Sequence, residues 1–237
     1  MVTQQEVKRL AQVYRNYREN PVVRAQWDES NPGNRAILRE RQRAIRKTLG
    51  THGFLPLASR RVLDVGCGTG KVLAGLVELG AQPNNLHGID LLPDRIAEAR
   101  KSHPGLHFQC VNAERLEFRN DSFDLVLLFT VLSSILDDRM AQNVAREAAR
   151  VLQPGGAVLW YDFRYDNPLN PNVRGMKKRQ IEGLFPGFQM YLHTVTLLPL
   201  LARHLGHLTQ ALYPVLAVIP PLRTHYLGCL IKPGTQE

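Results

Sequence analysis

Two carboxylates and a glycine turn are the residues of this chain best spaced to do chemistry. Asp64 precedes Gly66-Cys67-Gly68-Thr69-Gly70 by two positions, and Asp90 closes the next apolar run about twenty residues past the glycines. A carboxylate beside such a turn repels a phosphate and attracts an ammonium group through a charge-assisted hydrogen bond. An acid at the tip of a following strand can take the paired hydroxyls of a ribose. A dinucleotide fingerprint would need a third glycine where Lys71 stands. The pattern therefore favours a nucleoside with a cationic amino-acid end over one with a pyrophosphate.

The elements that must hold these groups follow from periodicity. Arg61 to Val65 is an apolar β-type run, and Lys71 to Leu79 has the spacing of an amphipathic helix, so strand, turn and helix make half of a βαβ unit. His87 to Asp90 ends a second strand, and Pro93 to Arg100 begins a helix with proline in its first turn. His107 to Val111 reads as the third strand. Phe123 to Phe129, apolar at all but one position, reads as a central parallel strand covered on both faces. A helix from about Asp138 to Leu152 is expected to stop at Gln153-Pro154-Gly155-Gly156, with strands at 157–161, 188–197 and 224–231 after it. Upstream, helices are expected over 4–19 and from Asn34 to Gly50, broken at Glu19-Asn20-Pro21 and by the turn-rich segment 28–34.

Asp64-x-Gly66-x-Gly68-x-Gly70, the acid Asp90 and Leu152-x-Pro154-Gly155-Gly156 arrive in the order found in class I S-adenosylmethionine-dependent methyltransferases of the small-molecule type, similar to methyltransferase type 11. The resemblance runs from about Arg60 to Lys232. It implies an α/β fold with a Rossmann-like, doubly wound seven-stranded sheet, mostly parallel with an antiparallel last strand, plus an N-terminal helical lid. It also implies S-adenosyl-L-methionine as cofactor and S-adenosyl-L-homocysteine as product. Carried over residue by residue, the cofactor contacts are Asp64, Gly66, Cys67, Gly68, Gly70, Asp90 and Leu91, with Phe129 and Thr130 at the end of the fourth strand. Asn112-Ala113-Glu114 stands where the family commonly has Asp-Ala-Glu; the amide oxygen of Asn112 can still accept a bond from adenine, and the Ala113 N-H is an alternative donor. The Asn-Pro-Pro-Tyr signature of base-methylating enzymes is absent after the fourth strand, which argues against a nucleic-acid substrate.

The acceptor side is read from the loop at 162–176, rich in Asn, Pro, Asp, Arg and Tyr. Asp162, Tyr165 and His193 are candidates to orient or deprotonate an acceptor, and Arg164 and Arg174 to pair with an anionic part of it. Residues 1–55 are read as the lid, with Tyr14, Tyr17, Trp27 and Arg35 as candidate contacts, and 56–237 as the methyltransferase domain. The apolar stretch 198–221 is read as a substrate-side cover; a greasy acceptor, a bilayer surface and burial against the sheet would each explain it. His204 and His207 share a helical face without nearby acids or cysteines, so no metal site is expected.

Charge and composition bound the partners. The formal net charge is +9, and much of the excess lies in Arg35, Arg39, Arg41, Arg43, Arg46 and Lys47 around Ile37, Leu38, Ile45 and Leu49. That pattern reads first as an amphipathic helix with a basic solvent face. With 44% hydrophobic and 22% charged residues the chain is of ordinary globular type, and no apolar run reaches the roughly 18 residues a bilayer crossing needs. Three cysteines without metal or redox spacing and an N-terminus without a charged, apolar leader predict a reduced, cytoplasmic protein. The expected reaction is methyl transfer to a hydroxyl of a glycoside, lipid-linked sugar or secondary metabolite. Carbon methylation of a prenylated or quinone-like acceptor, and a non-catalytic cofactor-binding or RNA-binding protein, are the alternatives.

Overall fold

The computed structural model describes residues 2–234. Four consecutive buried residues make β1 (Val62–Val65), which lies between β2 (Leu86–Asp90) and β4 (Phe123–Phe129), parallel to both. β3 (His107–Cys110) adds to β2, and β5 (Leu152–Phe163) adds to β4, again in parallel. β7 (Arg223–Ile231) inserts antiparallel between β5 and β6 (Gln189–Leu197), giving the order β3-β2-β1-β4-β5-β7-β6. This is the doubly wound, seven-stranded, Rossmann-like sheet with one antiparallel strand that the motifs imply.

Alternate residues of the central strands feed two cores. On one face Leu63, Val126, Val158 and Trp160 pack with α6 (Asp138–Val151) and α7 (Lys178–Leu184). On the other face Val62, Leu125, Leu127 and Leu159 pack with α4 (Lys71–Val77) and α5 (Pro93–Ser102). The upstream helices divide between the faces. Leu10 of α1 (Val2–Glu19) joins the α6 side, while Ile45 and Leu49 of α3 (Pro32–Thr51) are buried in the α4 side. A short α2 (Pro21–Ala25) lies between them, capped by the Asn20 side chain. α3 starts two residues earlier than the sequence suggests because Asn31 caps it, accepting from Gly33 N at 2.8 Å, and Pro32 fills its first turn.

A third, smaller cluster built from Leu197, Ala202, Tyr213 and Ala217 binds α8 (Pro199–His204) and α9 (Thr209–Leu216) to Ala36 and Ile37 of α3. The stretch 198–221 is thus helical and docked on α3. No helix among the described residues is long and apolar enough to cross a membrane.

Both ends of β5 differ from expectation: it runs on to Phe163, so Asp162 and Phe163 of the expected 162–176 loop are strand and the loop proper begins after them. α6 ends at Val151, but Gln153 to Gly156 is strand rather than turn: Leu152 already pairs with Phe123, and a register shift follows before Ala157 pairs with Leu125. The glycines serve a bulge, with Gly155 N donating to Lys232 O at 3.1 Å and Lys232 N to Gly156 O at 2.9 Å.

Candidate functional site

Because β1 and β2 pair in parallel with Asp64 opposite Gly88, Asp64 and Asp90 lie on the same face of the sheet at its carboxyl edge, offset by two residues. The turn between β1 and α4 folds over them. Gly66 (φ +70) and Gly68 (φ +56) are left-handed, and a Cβ there would lie 2.8 Å from Val131 Cγ2 and 2.6 Å from the Arg95 guanidinium respectively. Gly68 N donates to Asp90 Oδ2 and Leu92 N to Oδ1, both at 2.9 Å, so Asp90 is locked in orientation while each oxygen keeps a lone pair.

Asp64 is in the opposite condition. It is 1% exposed and its Oδ2 has no hydrogen-bond partner. Burial, reinforced by the Asp90 charge and opposed by Arg41, pushes its carboxyl up to about 8. Arg41, from the middle of α3, lines the same cavity; its Nε is buried without a partner and its guanidinium lies 5.5 Å from the Tyr161 ring centroid. An unpartnered acid and an unpartnered cation in one cavity are complementary to a free α-amino acid group, ammonium to Asp64 and carboxylate to Arg41.

The cavity has a volume of about 410 Å³. Beyond Asp90 its wall is apolar, formed by Leu91, Val111, Ala113 and Val144, a setting suited to a purine. Across from it stand Leu10, Tyr14 and Trp27 of the upstream segment. These residues fit the cofactor that the motifs imply at each of its three parts.

Of the expected cofactor contacts, Asp64, Gly66, Cys67, Gly68, Asp90, Leu91, Asn112, Ala113, Phe129 and Thr130 all line the cavity. Gly70 does not; it makes the turn into α4, packed beneath Phe108. Glu114 does not either: its carboxylate is held by Asn112 and by Asn143 Nδ2 at 2.8 Å. Asn112 Oδ1 accepts Glu114 N at 3.0 Å and retains one lone pair for a ligand. Thr130 has φ 56, costly for a β-branched residue, held by Thr130 N donating to Tyr161 O at 2.7 Å.

The acceptor candidates are brought together less well. Tyr14 lines the cavity, with its hydroxyl 3.2 Å from Ser134 Oγ. Tyr17 instead bonds Asn170 and ties α1 to the 162–176 loop. Tyr165 is 44% exposed with Arg164 against its ring, and Arg164 also donates to Pro220 O at 3.3 Å. Arg174 pairs with Asp138 at 2.5 Å. His193 lies in a separate groove because β6 is the sheet edge, with β7, β5 and β4 between it and β1. Trp27 reaches the cavity wall, whereas Arg35 lines the groove and donates to the carbonyls of Glu29 and Ser30.

Asp162 is buried outside the cavity lining, accepting from Ser133 N at 3.0 Å and Phe163 N at 2.8 Å. Burial raises its carboxyl to about 7 against those hydrogen bonds, and its geometry is that of a brace for the 130–134 segment. Because the folded chain holds this proton between the ordinary 3.8 and about 7, the contribution of Asp162 to stability falls as pH rises through that window. Asp162→Asn is expected to cost ~1–2 kcal/mol at pH 5 and to flatten the pH dependence, as thermal denaturation at pH 5 and pH 8 would show.

Arg41 is the residue that sequence reasoning passed over. It looked like one cation among six, yet it sits four residues from both Ile37 and Ile45, on the apolar stripe of its helix. Arg95, whose guanidinium lies 4.7 Å from the Tyr14 ring centroid, was also unsignalled. Among the described residues no group of three or more His, Cys, Asp or Glu is placed to hold a metal; His204 Nδ1 donates to Leu200 O at 2.7 Å.

Residues 62–156 match the family model described as a methyltransferase domain. A phthiotriol/phenolphthiotriol dimycocerosates methyltransferase from Mycobacterium leprae is 32% identical over 70% of this chain and 61% of its own length. A fatty-acid O-methyltransferase from Mycolicibacterium smegmatis is 35% identical over 64% of this chain and 53% of its own. The chain thus spans less than two thirds of the length of either relative. Among solved structures, an S-adenosylmethionine-dependent methyltransferase from Methanosarcina mazei superposes with a TM-score of 0.59 at 20% identity, covering 78% of this chain and 97% of that one.

Proposed function

We propose that the chain is a class I S-adenosylmethionine-dependent methyltransferase, a reading supported by the methyltransferase-domain match at 62–156 and the shared fold, and that it methylates an oxygen of a lipid-like small molecule. The observation that carries the reading is the composition of one cavity: a partnerless acid and a partnerless cation at one end, an apolar wall at the other, and Trp27, 59% exposed, on the upstream segment that lines it. The phthiotriol dimycocerosates and fatty-acid enzymes named above support a greasy acceptor. Arg95 adds cationic character to the lining beyond Arg41, which favours an acceptor oxygen in its ionised form.

The bound cofactor supplies an activated methyl group on a sulfonium. The protein's own part is positioning and the exclusion of water. Asp64 and Arg41 would hold the amino-acid end, Asp90 the ribose hydroxyls, and Leu91, Val111 and Ala113 the purine. Thr130 follows the last residue of β4 and lines the cavity with Asp64, at the rim where open α/β sheets bind their ligands. α1 closes the site: Glu6 Oε1 accepts Leu136 N at 2.7 Å, Arg9 donates to Ser134 O at 2.5 Å, and Arg18 pairs with Asp94.

The test is transfer of labelled methyl from S-adenosylmethionine to long-chain fatty acids and to hydroxylated lipids, followed by extraction. Formation of a methyl ester or ether with release of S-adenosylhomocysteine supports the reading. Turnover confined to polar glycosides or to RNA would overturn it.

Arg41→Met separates the two ends of the ligand. S-Adenosylhomocysteine should bind about 10- to 30-fold more weakly, a loss of ~1.5–2 kcal/mol, while adenosine, which lacks the amino-acid end, should bind as before. Titration calorimetry with both ligands checks this.

A further inference from the structure

A second concavity of about 900 Å³ lies between α3 and α9. Arg39, Arg43 and Lys47 line it from α3, exposed and with no acidic partner among the described residues. The one acid in its wall, Glu40, is engaged: its Oε2 accepts Thr196 N at 3.0 Å and the Tyr213 hydroxyl at 2.7 Å. Those bonds fasten α3 to β6 and α9, so the cationic wall is rigid. Arg223 also stays in place, donating to Thr194 O at 2.7 Å and to Ala217 O.

The outer side of α9 has the opposite character. Tyr213 and Ala217 are buried, whereas Leu208 is 48%, Leu212 38%, Val215 61% and Ile219 40% exposed. Leu212 and Val215 lie on α9, Leu208 in the turn before it, and Ile219 with Val218, 67% exposed, in the turn after it, so the helix and its flanking turns make one apolar ridge. Large apolar side chains grouped on one surface in water mark an interaction surface. Elements beside the ridge touch the cavity wall and the acceptor-side loop. Arg203 of α8 stacks on Trp27 at 4.7 Å, and Arg164 of the 162–176 loop reaches Pro220 just past α9.

We propose that this face is a docking surface for an anionic phospholipid bilayer, with the α3 cations meeting phosphate headgroups and the α9 ridge entering the acyl boundary. Charge complementarity selects this occupant. RNA would satisfy the cations and leave the ridge in water, whereas a bilayer offers phosphate and hydrocarbon at adjoining depths. The inference is independent of which acceptor is methylated.

Flotation of the full chain with vesicles tests it, using phosphatidylcholine alone and a mixture of about three parts phosphatidylcholine to one of phosphatidylglycerol. Binding to the mixture is expected to exceed binding to the neutral vesicles by at least ~10-fold and to weaken with added salt. Val215→Glu with Val218→Glu, and separately Arg39→Glu with Arg43→Glu, should each reduce it by at least ~10-fold. Both variants should retain S-adenosylhomocysteine affinity and thermal stability, which separates this proposal from the cofactor reading. Equal binding to both vesicle types, insensitivity to the ridge variant, full displacement by free glycerol phosphate, or retention on RNA without flotation would each overturn the proposal.

Discussion

Asp64→Asn is expected to weaken S-adenosylhomocysteine binding by roughly 30- to 100-fold, or ~2–3 kcal/mol, the value of a desolvated charge-assisted hydrogen bond. The fold should survive, because Asp64 Oδ2 bonds nothing in the protein and Asn occupies the same volume. The pH dependence follows from burial. In the free protein the Asp64 carboxyl is raised to about 8, so near neutrality it carries a proton, and binding an ammonium must expel that proton. Affinity should therefore climb as pH rises toward 8, then fall as the α-amino group of the ligand loses its charge. Asp64→Asn should erase the rising limb.

The same shift has a stability sign. Folded protein keeps the Asp64 proton between the ordinary 3.8 and about 8, where the unfolded chain has released it, so this group makes the free protein less stable as pH rises across that window. Ligand should counter the trend by supplying a cation. Calorimetry at pH 6.5 in two buffers of different ionisation heat measures the proton count. Release of close to one proton is expected, and uptake, or no exchange, would refute the assignment of Asp64 to the ammonium.

The largest stability loss is expected at Trp160. Its side chain is wholly buried on β5, edge-on to Phe185 of the helix-covered face at 6.4 Å. Trp160→Ala removes the largest fully buried side chain in the molecule and should cost ~3–5 kcal/mol, lowering Tm by about 10 °C in a domain of this size. The indole Nε1 is buried without a partner, so its hydrogen contributes nothing that phenylalanine lacks. Trp160→Phe should accordingly recover most of the loss, to within ~1–2 kcal/mol of the parent. Urea unfolding of the three proteins checks this, and an alanine variant within ~1 kcal/mol of the parent would contradict it.

The cavity that holds Asp64 and Asp90 was legible because its signals are local. A strand, a glycine turn that needs positive φ and an acid at the next strand tip stand in a fixed linear order, and parallel pairing puts them together without help from distant parts of the chain. The acceptor half depends on relations that no short segment contains. Asp162 carries the right chemistry at the right strand end, but its oxygens are taken by two backbone N-H groups, a fact of tertiary packing. His193 alternates correctly along its strand, yet strand order moves it to the sheet edge. Arg41 hides for the converse reason: a cation in a basic helix looks solvated until the sheet is set against that helix.

The placement of β7 has a consequence for how the molecule is made. It follows β6 in synthesis but lies inside the sheet, with β5 on one side and β6 on the other. A nascent chain lacking residues 223–231 would therefore present two bare strand margins at once, one belonging to the hydrophobic centre of the sheet. Such margins are templates for pairing with other molecules, so premature termination or slow translation near this point should yield insoluble material rather than a shortened, folded protein.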